Sequence, residues 1–116
     1  MNDVVQPGAL RLLLTQLGGD RGAQRRFVAD FVDLWDTRSR RLAQVLAAPD
    51  AGGAHIALLS IRSSCGILGA VRLEAAATVM LALLADGDVN GCRERLPQLI
   101  IVGERTCAWL NSFLES

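Results

Sequence analysis

Apolar residues recur along this chain with the helical period, and no segment shows the strict alternation that a half-buried strand requires. A first short helix is predicted from Pro7, a residue suited to the first helical position, to the stop at Gly18-Gly19, with Leu10, Leu13, Leu14 and Leu17 as its apolar stripe. Asp20 is placed to cap a long second helix over Arg21–Ala48, ending before Pro49. Its apolar positions are Phe27, Phe31, Leu34, Trp35, Leu42 and Leu46, and Arg26, Asp30, Asp33, Arg40 and Arg41 form a solvated opposite face. A third helix is predicted over Gly53–Leu68 and a fourth over Ala70–Ala85, divided by Gly69. The fourth ends at the turn Asp86-Gly87-Asp88. The last covers Val89–Leu114, with Val102, Thr106, Trp109, Leu110 and Phe113 on its apolar face. Pro97 sits inside that span, so the helix either kinks there or becomes regular from there. Short links between amphipathic helices imply antiparallel neighbours. The expected fold is therefore all-α: one domain over residues 1–116, an antiparallel up-down four-helix bundle with a short N-terminal lid helix. Its core is expected to hold Phe31, Leu42, Leu58, Ile61, Cys65, Leu68, Leu73 and Phe113.

Composition narrows the chemistry. The 116 residues are 51% hydrophobic and 21% charged, which excludes a disordered chain. Twelve basic residues balance twelve acidic ones, so the cationic surplus of a nucleic-acid binder is missing. Every basic residue is arginine. The cysteines Cys65, Cys92 and Cys107 are odd in number and lack CxxC spacing, which points to a reduced, cytoplasmic chain without a zinc site. The start MNDVVQPGAL lacks the basic and long apolar regions of a signal peptide. The longest nearly apolar run, Ala75–Ala85, is too short for a membrane span.

Two features could carry chemistry: the lone histidine His55, and the stretch Leu58–Ala70, LLSIRSSCGILGA. At about 100° per residue, Leu58, Ile61, Cys65 and Leu68 cluster on one face as a core stripe. The other face collects His55, Leu59, Arg62, Ser63 and Gly66, small residues around one cation. Leu59 is expected to be substantially exposed there, and Ile56 and Ile67 beside it extend an apolar patch.

Read without gaps, Leu58-Leu59-Ser60-Ile61-Arg62-Ser63-Ser64 followed by Leu68-Gly69-Ala70 resembles the active-site motif of the histidine-phosphotransfer (HPt) domains of two-component phosphorelays. Leu17-Gly18-Gly19-Asp20, Phe31, Leu73, the small residues after Ala70 and the Asp86-Gly87-Asp88 turn extend the likeness over nearly the whole chain. The resemblance implies a helical bundle that docks a response-regulator receiver domain or a histidine kinase. It also implies the site. The family's phosphorylated histidine falls on Leu59, which has no nitrogen nucleophile and cannot form a phosphoramidate. Arg62 matches the basic residue one turn on that would neutralise a phosphoryl group. Ser63 stands where the family prefers glycine; Ser64, Gly69 and Ala70 match. The reading that follows is a docking module without phosphotransfer, requiring no cofactor and no metal, and not an enzyme. Its partner surface comprises His55, Leu59, Arg62, Ser63, Gly66 and Ile67.

Two other functions compete with it. His55, one turn and about 6 Å upstream of Leu59, is a substitute acceptor in principle, but its i+3 and i+4 neighbours are Leu58 and Leu59. It reads more simply as a surface histidine near a helix start. The apolar patch would equally suit a helical dimerisation domain with no phosphorelay role. The remaining groups have structural readings. Arg38, Arg40 and Arg41 follow Asp33 and Asp36 by about a turn, as on a salt-bridged surface. Trp35 and Trp109 read as core anchors, Cys65 as an inert apolar residue, and Asp86 and Asp88 as turn residues.

Overall fold

The computed structural model describes residues 4–116. It is all-helical: α1 (Pro7–Gln16), α2 (Arg21–Ala47), α3 (Ala51–Leu68), α4 (Val71–Ala85) and α5 (Val89–Glu115), with no strand among the described residues. Three helices begin on an aspartate whose carboxylate accepts a hydrogen bond from the third residue beyond it. Asp20 accepts from Ala23 N at 3.0 Å, Asp50 from Gly53 N at 2.9 Å and Asp88 from Gly91 N at 2.8 Å. The Asp50 cap starts α3 at Ala51, two residues before the expected Gly53. Gly18, Gly19, Gly69 and Gly87 take positive φ after their helices, the left-handed geometry that closes a helix cheaply only with glycine.

Each helix then buries one stripe. α2 packs against α3 and α5, and α4 packs against the same two, so the four share a core. Phe31, Leu42, Leu58, Ile61, Cys65, Leu68 and Leu73 are all buried in it, together with Met80, Leu99 and Leu110. The buried phase of α2 differs from the expected one. Gln24, Val28, Phe31, Trp35, Ser39, Leu42 and Leu46 form its inner line, whereas Leu34 is 44% exposed and Phe27 half-buried. At the end of α5, Trp109 and Phe113 are half-buried rather than core; they stack on each other at 6.4 Å with 9° between planes. α5 runs unbroken through Pro97, which is exposed, so the carbonyl four residues earlier can turn to water.

α2 and α5 approach closely at Gly103. A Cβ on Gly103 would lie 1.8 Å from Trp35 Cζ2, so the indole rests directly on the α5 backbone. Trp35 is buried there and stacks on Phe31 at 6.3 Å. At the far end of α2, Arg93 Nε donates to the Leu46 carbonyl at 3.0 Å, satisfying an acceptor that the last helical turn leaves open. α1 lies against α3 and α2. Gln6 N donates to Gly69 O at 2.9 Å, and the buried Gln24 side chain donates from Nε2 to Leu10 O at 2.9 Å. α1 also comes close at Gly69: a Cβ there would be 2.5 Å from Ala9 Cβ.

Candidate functional site

α3 is held at both ends, by the Asp50 cap and by left-handed Gly69, and along one side by Ala54, Leu58, Ile61, Cys65 and Leu68 in the core. Its register is therefore set, and with it the direction of every other side chain. Ile56 (70%) and Ile67 (45%) are exposed, as are His55, Ser60, Ser63 and Gly66. Leu59 and Arg62 are half-buried. The expectation that Leu59 stands substantially in solvent is thus corrected: it packs against the edge of the core, because the neighbouring helices rise on both sides of α3.

Each flank of this face has its own chemistry. On the α4 side, a Cβ on Gly66 would meet Glu74 Oε2 at 3.2 Å, so the bare glycine makes room for an acid that the motif comparison did not single out. Its signal in the sequence is its place in the first turn of α4, where the helix dipole favours an anion. On the α2 side, Arg38 Nη1 donates to Ser64 Oγ at 3.2 Å. Arg38 and Arg41 line an open groove of about 260 Å³ with Ile56, Ala57 and Ser60. The expected salt-bridged surface forms only in part. Among the described residues only Arg40 pairs, with Asp36 at 2.6 Å, while Arg38 turns across to α3. His55, Leu59, Arg62, Ser63, Gly66 and Ile67 do share the outer half of α3, but Arg62 has no carboxylate within 4.0 Å among the described residues.

The thiols offer no reactivity to this face. Burial first and then Glu74, only partly offset by Arg38, push Cys65 up to about 12. Burial, then Glu104, pushes Cys107 to about 11, and burial, then Asp88, raises Cys92. All three are neutral at physiological pH and so poor nucleophiles. Among the described residues no buried side-chain nitrogen or oxygen lacks a hydrogen-bond partner, and no three His, Cys, Asp or Glu side chains converge on a point that could hold a metal ion. Nor, among them, is any helix long and apolar enough to cross a membrane. What the face presents is a guanidinium, the imidazole of His55, small hydroxyls and apolar surface. Comparison with protein-family models, curated proteins and solved structures finds no match to this chain.

Proposed function

We propose that the chain is an HPt-like signalling module that docks a receiver domain or a histidine kinase through the outer face of α3 without accepting a phosphoryl group. In this reading α2 to α5 form an antiparallel up-down four-helix bundle and α1 is its lid, pinned through Gln6 and Gln24. The observation that carries the proposal is Leu59 at the acceptor position with Arg62 one turn on, beside an exposed Ser63 and Gly66. Small residues let a partner's backbone approach, and the cation suits a receiver's acidic pocket. The working compartment is the cytoplasm, where such relays operate.

The test is titration of purified receiver domains against the protein by calorimetry, paired with incubation against a phosphorylated receiver. Binding without acid-labile label is the expected result. Ser63→Trp, at an exposed position, is expected to abolish binding without unfolding the protein. Label on wild type that disappears in His55→Ala would overturn the proposal in favour of phosphotransfer through His55. The 70% exposure of Ile56 favours a second reading, a helical dimerisation domain with no relay role. Failure of every receiver and kinase to bind would select it.

A further inference from the structure

The stripe of α2 that flanks α3 carries its own complement. Asp30 stands four residues before Leu34 and Arg38 four after; Phe27 stands seven before and Arg41 seven after. Steps of four and seven keep all five on one helix face. Phe27, Asp30, Leu34 and Arg38 surround one shallow depression of about 230 Å³, and Arg38 and Arg41 line the next along the helix. Leu34, at the centre, is 44% exposed although the core lies one residue away at Trp35. None of Asp30, Arg38 and Arg41 has an ion-pair partner within 4.0 Å among the described residues.

A twofold axis through Leu34 exchanges the two arms of this pattern. Laid antiparallel on a second α2, Asp30 meets Arg38 of the partner subunit, and Phe27 meets Arg41 of the partner subunit, a cation over an aromatic ring. Leu34 meets its own copy at the centre. A parallel pairing would oppose Asp30 to itself and Arg38 to itself, so the charges also select the orientation. The hydrogen bond from Arg38 to Ser64 holds the guanidinium beside the stripe before any partner arrives. We infer that a second copy of this chain docks on the Phe27–Arg41 stripe of α2, antiparallel, with paired Asp30–Arg38 contacts about a Leu34 centre. One helix–helix seam is at the small end of specific interfaces, below about 1,200 Å² in total, so the dimer is a concentration-dependent one. The pairing uses none of the six α3 residues of the proposed docking face, so it does not depend on that function.

Charge swaps test it by sedimentation equilibrium over a concentration series. Wild type is expected to pass from monomer to dimer. Asp30→Arg or Arg38→Asp alone opposes like charges at both symmetry-related contacts and should weaken association by about tenfold or more, about 1.4 kcal/mol. In an equimolar mixture of the two variants, one subunit is cationic at both positions and the other anionic at both. Opposite charges then meet again at each contact, and the mixture should form a heterodimer that neither variant forms with itself. A wild type that stays monomeric, single variants that associate like wild type, or a mixture no tighter than its components each overturns the inference. Arg38→Asp also removes the Ser64 hydrogen bond. If that variant fails to fold, Leu34→Asp at an exposed site provides the second reading: self-association lost at an unchanged melting temperature, or, if association persists, the inference refuted.

Discussion

Gly103 looks like a weak point in α5, since glycine inside a helix costs about 1 kcal/mol relative to alanine. Gly103→Ala should therefore stabilise the protein if only the helix mattered. The packing reverses the sign. The new Cβ would lie 1.8 Å from Cζ2, 2.3 Å from Cε2 and 2.4 Å from Cη2 of Trp35, against the roughly 3.5–4.0 Å of ordinary carbon contact. Relief requires a rigid, buried ring to move by more than about 1 Å while stacked on Phe31, or α5 to back away from α2. Overpacking of this kind costs about 1–3 kcal/mol, and the size of the overlap puts it at the upper end. Subtracting the helix gain leaves a net loss of about 2 kcal/mol, a fall in melting temperature of about 8 °C for a domain of this size. Thermal melts followed at 222 nm and urea titrations measure it. The control is a double-mutant cycle. Trp35→Phe removes the benzo ring that the Cβ strikes, so Gly103→Ala in that background should be neutral or stabilising by up to about 1 kcal/mol. A rise in melting temperature for Gly103→Ala alone would refute the argument, as would equal costs in the two backgrounds.

Three further outcomes are expected. With no lysine and no tyrosine, the cysteines are the only side chains that titrate between pH 9 and the arginine range. The folded Cys65 thiol is raised from 9.0 to about 12, so the unfolded chain loses its proton first. Stability should hold below about pH 9 and fall toward pH 12; Cys65→Ala, followed by urea melts across that range, should flatten the decline. Gln24→Leu removes the buried hydrogen bond to the Leu10 carbonyl, which should cost about 1 kcal/mol and speed amide exchange selectively in α1; unchanged exchange there would show that the contact does not hold the helix. Leu59→Asp, at a half-buried site, should lower stability by about 1–2 kcal/mol in chemical denaturation; no loss would mean that the side chain contributes nothing to the core edge.

Much of the fold is written in local signals that act within one helix. Asp20, Gly69 and Gly87, and the apolar spacing over Leu58–Leu68 mark a start, stops and the buried side of α3, because caps, left-handed turns and helical periodicity need no distant partner. The candidate face of α3 follows from the same periodicity, as the surface left when the stripe is buried. What depends on two helices meeting had no such signal. Leu34 and Phe27 are as apolar as Val28, yet the position of α3 and α5 around α2 buries Val28 and leaves the other two at the rim. Trp109 and Phe113 are large enough for the core, but at the end of α5 they are only partly covered and cover each other. Leu59 is drawn half inside by the neighbouring helices. Arg38 has acids nearby on its own helix and instead reaches Ser64 on α3. Gly103 is the sharpest case: its propensity argues against it, and only the Trp35 ring lying on the α5 backbone explains why nothing larger fits, since steric exclusion between distant residues leaves no trace in local composition.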